Sequence, residues 1–460
     1  MKKEDVTMKA IRWLAMLMVV LMLVAAMPAM AEEEGIELTW VGAGWLQNNK
    51  AEKIIAKWNE IHPDIKVNYV DKGTLVDDAY KVNLDTMIAS GETIDVTYLT
   101  YGDVYSRVLA GGALPLDEYI EAAGDDYEDM YGSMSTALLK YDGHIYGVPY
   151  AGNTFKVFYN KDMVAAAGVE IPETWSLEEF TEIAKKLTDE ENGISGVTFP
   201  YGWQDIIYAP ANLSGWEMVK YDEAGNPVPC FDDEIFKGVM KAAKDLADEY
   251  HVTPSLATIM AESINRRQTL MTHKAAMIVD GPYTLVWMQN YMFNDPGEGP
   301  IDFELGVADL PYATEDGKEV SYNTVAGAFY VPKTAKYPAE AYEFEKFLCD
   351  ECPEESACYM PIFKGADMEA ATKSFTEYVD ANGEEHTEVY PLETAIAAVA
   401  TPYESYIGKY NFDPSLSAYK SVLYNLFENN YALYLNGEMD LDTWCEMMQE
   451  MGAGEIANVG

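Results

Sequence analysis

Aromatic rings and amide or carboxylate side chains recur together in this chain, directly after short strand-like runs and beside glycine or proline. Gly42-Ala43-Gly44-Trp45-Leu46-Gln47-Asn48 follows the run Glu37 to Val41, and Thr100-Tyr101-Gly102-Asp103 follows Val96 to Leu99. Tyr201-Gly202-Trp203-Gln204-Asp205 leads a helix, and Asp280-Gly281-Pro282-Tyr283 ends an apolar run with a rigid turn. Rings beside fixed donors and acceptors suit a polyhydroxylated solute, whose C–H faces lie flat on Trp or Tyr while its hydroxyls need Asp, Asn or Gln. Trp45 is expected at the C-terminal end of the first strand, the ligand side of an open α/β sheet, where Gly42 and Gly44 let the backbone approach closely. Its competing role is core filling. Asp103 has two roles of equal weight, binding a pair of hydroxyls or capping the helix that follows. A dinucleotide fingerprint does not fit, because Gln47 stands where its third glycine belongs. Asn153, Asn323, Thr324 and Gly327 are secondary candidates, and Tyr419 reads better as core packing.

Catalytic patterns are missing. The chain has no G-x-S-x-G, H-E-x-x-H or P-loop and no complete calcium-binding loop. Chance pairs among 77 acidic residues keep a glycan-cleaving enzyme open as a competing class. Cys349, Cys352 and Cys358 suggest a local disulfide; zinc lacks a fourth ligand at usable spacing, so no metal and no cofactor is expected. Cys230 and Cys445 read as buried thiols.

Elements that can hold such residues alternate through the first half. Strands at Glu37 to Val41, Lys66 to Val70 and Val96 to Leu99 flank helices at Asn49 to His62 and Val76 to Ser90, which is α/β patterning. Asp142-Gly143 makes a tight turn before Tyr146 to Tyr150, and Pro149 marks an edge strand or the end of pairing. Phe155 to Tyr159 is a further strand, Asn160-Lys161-Asp162 opens a helix that stops at Gly168, and Thr174 is expected to cap the next one. The C-terminal third is mostly helical, with Pro338 to Leu348 and Leu416 to Asn429 the clearest cases.

Residues 1–31 read as an export leader: Lys9 and Arg12 precede the uncharged run Trp13 to Met27, and Ala29-Met30-Ala31 offers a cleavage site. Met8 is the expected start, since Glu4 and Asp5 do not belong in a basic leader. The whole chain carries 31 basic and 77 acidic residues, net −46. That surplus of acid excludes nucleic acid and anionic membranes as expected partners. The rest of the chain exceeds one typical core and reads as two domains.

The stretch Tyr141 to Thr188 carries "DG-x-IYG-x-P", "YNKD", "AG" and "P-x-TW-x-x-EEF", and here the chain resembles the family 1 extracellular solute-binding proteins of ABC importers, the group of maltose-binding protein. Gly91 to Ile120 adds "G-x-LPLD-x-Y", His273 to Tyr283 adds "AAM-x-x-x-GPY", and Val307 to Leu348 and Asn436-Gly437-Glu438 follow in the family's order. The departures are His273 and Tyr283, where the family usually has Gly and Trp, and a leader without the lipid-modified Cys of many relatives.

The resemblance implies an α/β, two-lobed, periplasmic-binding-protein-like fold whose lobes are linked by several chain crossovers around a ligand cleft. The first lobe is expected at 36–150 and 308–352, the second at 151–307 and 353–460, with crossings near Tyr150 to Asn153, Leu305 to Asp309 and Asp350 to Cys358. It implies an exported monomer that is not an enzyme, a sugar or oligosaccharide as ligand, and the importer's permease subunits as partners. A noncarbohydrate solute, possibly cationic, and an adhesin without transport are the other readings. The implied contacts are Trp45, Tyr101, Asp103, Asn153, Trp203, Asp280, Asn323, Thr324 and Gly327, with Tyr283 as the principal sugar platform.

Overall fold

The computed structural model describes residues 35–42, 50–72, 78–199, 206–294, 301–315, 323–352, 361–399 and 416–459. Its main strands are β1 (Ile36–Gly42), β2 (Ile65–Asp71), β3 (Val96–Leu99), β4 (Val148–Thr154), β5 (Lys156–Asn160), β6 (Ser195–Thr198), β7 (Ala275–Asp280), β8 (Leu305–Asp309) and β9 (Asn323–Tyr330). The helices used below are α1 (Lys50–Ile61), α2 (Asp78–Ser90), α3 (Tyr101–Leu109), α4 (Lys161–Ala166), α5 (Leu177–Leu187), α6 (Arg266–Met271), α7 (Thr284–Asn294), α8 (Pro338–Asp350) and α9 (Ser417–Leu435).

Two sheets carry the molecule, in the strand orders β2-β1-β3-β9-β4 and β8-β5-β7-β6. In the first, β1 runs parallel to β2 and β3 while β9 is antiparallel to β3 and β4. In the second, β7 is parallel to β6 and antiparallel to β5, which is also antiparallel to β8. Alternation along each strand explains why both sheets are covered on two faces. Leu38, Trp40, Tyr98 and Phe329 enter one core with Trp58, Phe344 and Phe347, whereas Val41, Leu99, Ala328 and Tyr330 enter another with Tyr80 and Leu84. The second sheet splits likewise, with Val157, Met277 and Val279 on one side and Phe158 and Ile278 on the other.

The chain moves from sheet to sheet at identifiable residues. β4 ends at Thr154 and β5 starts at Lys156, so Phe155 alone joins the two sheets, just beyond the expected Tyr150 to Asn153. Between β8 and β9, Tyr312 is still fastened to the second lobe: its N–H donates to Trp175 O at 3.0 Å and its carbonyl accepts from Leu177 N at 2.9 Å. The third passage falls later than Asp350 to Cys358. Ile362 lies in the first-lobe core and Lys364 N donates to Met130 O, while Phe375 belongs to the second lobe, so residues 362–364 do not lie where a boundary at 352/353 would put them.

Local rules account for the elements around the first passage. Asp142 and Gly143 both take positive φ, 48° and 85°, the two-residue turn that pairs Lys140–Tyr141 with His144–Ile145. Pro149 lies on β4, an edge strand. Asn160 caps α4 by accepting from Met163 N at 3.0 Å, and Gly168 at φ 65° follows its end. The cap of α5 is Ser176, not Thr174. Its hydroxyl accepts from Glu179 N while the Glu179 carboxylate accepts from Ser176 N, a reciprocal pair that a threonine two residues earlier cannot form.

Candidate solute-binding site

On the first lobe the candidates gather beyond the C-terminal end of β3. Tyr101 opens α3 immediately after that strand, and Asp103 sits in its first turn. The Asp103 carboxylate accepts from Thr100 Oγ1 at 2.6 Å and lies 2.9 Å from Lys81 Nζ, so Thr100, not Asp103, occupies the cap position. Register brings three polar candidates together: Thr324 stands opposite Asn153, and Asn323 opposite Thr154. Since Leu99, the last residue of β3, pairs with Ala328, this end of the β4–β9 pair projects past β3. Trp45 and Trp203 lie outside the described residues.

Gly327 is required by close packing. It sits at a register shift between β9 and β4, and a Cβ there would come within 2.4 Å of Leu99 O and 2.5 Å of Tyr98 Oη. Only glycine permits that approach, so Gly327 shapes the strand end.

On the second lobe the corresponding place is the C-terminal end of β7, where β7 turns through Gly281-Pro282 into α7. Asp280 is fully buried, which corrects its expected role as a ligand contact. Arg266 Nη2 donates to its Oδ1 at 2.7 Å, Arg267 Nε lies 2.8 Å from its Oδ2, and Gly281 N donates to Oδ1 at 2.9 Å. A carboxylate taken from water needs such compensation. Both arginines begin α6, the helix just before β7, so α6 delivers them to the end of β7 where Asp280 lies.

Tyr283 is half-buried, and burial together with the nearby Asp280 carboxylate raises its phenol above the ordinary range. Its ring is edge-on to Phe155, centroids 6.4 Å apart and planes at 81°, which sets it at the junction of the two sheets. The Arg267 guanidinium stands 5.5 Å from the Tyr283 centroid and 5.7 Å from that of Trp287, one turn along α7. Nearby, the buried Lys156 at the start of β5 pairs with Asp309 at the end of β8. Across the lobes, α9 packs against α3. Tyr419, on α9, is partly buried against the second-lobe core, as its packing role requires.

Arg266, Arg267, Trp287 and the Lys156–Asp309 pair are absent from the sequence reading. A signal existed: the chain has four arginines, and two of them are adjacent here.

Other groupings lie away from these residues. Asp380, Glu384 and His386 bring possible ligand atoms within 4.8 Å of one another on a hairpin, where backbone N–H groups of Glu384 and Asn382 hold the Asp380 carboxyl below its usual range. Cys349 is a buried free thiol and Cys352 is buried, while Cys358, the third member of the cluster expected to hold a local disulfide, lies outside the described residues. Burial raises Cys230 and Cys445, also free, to about 11. Among the described residues no helix is long and apolar enough to cross a membrane.

Two α/β lobes joined by repeated passages, with rings and polar groups at the strand ends beside a passage, define a two-lobed binding protein. The family model for the bacterial extracellular solute-binding proteins matches residues 43–351, and the chain belongs to that family. It is 26% identical over 260 residues to the maltotriose-binding protein of Pyrococcus abyssi, covering 56% of this chain and 49% of that one. With the galactooligosaccharide-binding protein of Bacillus subtilis it shares 29% identity over 230 residues, 49% of this chain and 50% of that one. The chain thus spans about half the length of these relatives. In structure it resembles the galacto-N-biose/lacto-N-biose I-binding protein of a Bifidobacterium longum ABC transporter, with a TM-score of 0.67 at 19% identity over 93% of this chain and 98% of that one.

Proposed function

We propose that this protein captures a saccharide between its lobes outside the cytoplasm and presents it to the permease of an ABC importer. Family membership and the saccharides named for its relatives support this reading, but one local observation carries it: Tyr283, at the end of β7, stands edge-on to Phe155 in the single-residue passage between sheets. A half-buried ring there can take the C–H face of a sugar while groups from the other lobe approach its hydroxyls.

In this reading Tyr283, Trp45 and Trp203 stack on the ligand, Tyr101, Asp103, Asn153, Asn323 and Thr324 meet its hydroxyls, and Asp280 and Gly327 support the site from behind. The described residues within 36–154 and 323–364 form the first lobe; those within 156–315 and from Met368 onward form the second. The protein binds without catalysing, works as a monomer, and is exported by residues 1–31. Contacts on both lobes favour the closed arrangement over the open one, which gives the permease a shape to recognise. Titration calorimetry with mono- and oligosaccharides tests the proposal: saturable binding of at least one, abolished or severely weakened in Tyr283→Ala, is expected, and a panel without any saturable binding overturns it.

A further inference from the structure

Arg267 is engaged on one side only. Its Nε donates to Thr284 Oγ1 at 3.0 Å and faces Asp280, and its guanidinium lies over both Tyr283 and Trp287. No described residue accepts from its Nη1 or Nη2, although only 12% of the side chain is exposed. A guanidinium held this firmly, with the fork end unspent, is prepared for a planar or tetrahedral oxyanion, which it grips through two parallel N–H bonds. Charge agrees. Arg266 and Arg267 set two positive charges against the single negative charge of Asp280, a local excess of one in a chain whose net charge is −46. Within roughly 10 Å that local charge acts before salt screens it, so the general acidity of the surface does not cancel it.

Trp287 marks the direction in which a ligand would extend. The five other described tryptophans, Trp40, Trp58, Trp175, Trp216 and Trp444, are at most 2% exposed, whereas Trp287 is 50% exposed. It shares Arg267 with Tyr283, so both rings and the unspent fork lie together. We propose that Arg267, fixed by Asp280 between Tyr283 and Trp287, binds an oxyanion carried by the saccharide, a carboxylate or a phosphate, so that the ligand is an acidic sugar or acidic oligosaccharide. This rests on the reading of the protein as a saccharide receptor and narrows its substrate class. It runs against a cationic solute.

The test is calorimetry on the full chain after its leader, with matched pairs: glucuronate-, galacturonate- and mannuronate-containing oligosaccharides against their carboxyl-reduced counterparts, and glucose 1-phosphate against glucose. The acidic member of a binding pair is expected to bind at least about tenfold tighter, as hydrogen bonds to a charged group warrant. The uronate and phosphate arms tell the two oxyanions apart. Arg267→Lys keeps the charge facing Asp280 but loses the fork. It should weaken the acidic ligand about tenfold and the neutral one less than about threefold, with an unliganded melting temperature close to that of the parent. Should Arg267→Lys fail to fold, Trp287→Ala at its exposed position provides the second variant, with a similar loss confined to oligosaccharides. Equal or tighter binding of the neutral members overturns the acidic assignment and leaves saccharide capture standing. Saturable binding by no member overturns saccharide capture and the assignment with it.

Discussion

Asp280 in the second lobe and Glu345 in the first are both completely buried carboxylates, and they are treated in opposite ways. Asp280 in the second lobe faces Arg266 and Arg267 and accepts from Gly281 N. Glu345, on α8 in the first lobe, is equally inaccessible, yet no described residue donates to either of its oxygens. Desolvation alone therefore drives the Glu345 carboxyl well above its usual range, so that it holds its proton. The contrast separates a charge kept to position neighbours from a buried acid that serves no charge. Asp280 fixes the guanidinium beside Tyr283, whereas Glu345 sits on the helix that covers the first sheet.

Breaking the paired acid should have the largest effect. Asp280→Ala leaves two guanidinium groups without their partner and is expected to cost about 3–5 kcal/mol, read from the shift in denaturant midpoint. A loss under about 1 kcal/mol would mean that water already neutralises the arginines.

Removing the unpaired acid should do the reverse. Glu345→Met keeps the size and drops the polar atoms, and is expected to stabilise the protein by about 1–3 kcal/mol at pH 8. The pH dependence follows from the direction of the shift. A folded pKa above the unfolded value of 4.5 means that the folded state binds the extra proton, so stability is fully present below pH 4.5 and declines as pH rises toward the folded pKa. The slope from this one group is at most about 1.4 kcal/mol per pH unit, and stability measured between pH 5 and 8 should fall more steeply in the parent than in Glu345→Met.

Asp350 lies between these extremes. Tyr131 Oη is 2.9 and 3.1 Å from its two oxygens and Lys346 is close, but burial outweighs both and raises it to about 7. Its contribution is complete below pH 3.8 and fades by about 7, so it adds to the parent slope and persists in Glu345→Met below that limit. Asp350→Asn should remove it. The smallest effect is expected from Tyr131→Phe, about 1–2 kcal/mol in thermal or denaturant unfolding, with the Asp350 transition moved further up in pH because a donor to the charged form is lost.

The two carboxylates also mark how far the sequence could be read. Strand Val96–Leu99, the helix cap at Asn160 and the turn at Asp142-Gly143 were legible because each depends on residues within a few positions of one another. The Ser176 cap was legible in principle, since Glu179 follows three residues later, but Thr174 offers the same side-chain chemistry nearby. Asp280 was misread as a ligand contact because its partners lie 13 and 14 positions upstream and reach it only through α6 folding back on β7. The packing role of Gly327 was hidden for a related reason: what requires glycine there is Leu99 O, more than two hundred residues away along the chain. Nothing in the local pattern around Glu345 distinguishes it from an exposed helical glutamate.

Closure around a sugar is the central claim, and small-angle X-ray scattering tests it directly. The chain without its leader would be measured alone and saturated with whichever saccharide binds most tightly in calorimetry. A decrease in radius of gyration at full occupancy, absent when Tyr283→Ala is mixed with the same sugar, is the predicted result. An unchanged radius of gyration in the saturated parent would contradict capture between the lobes.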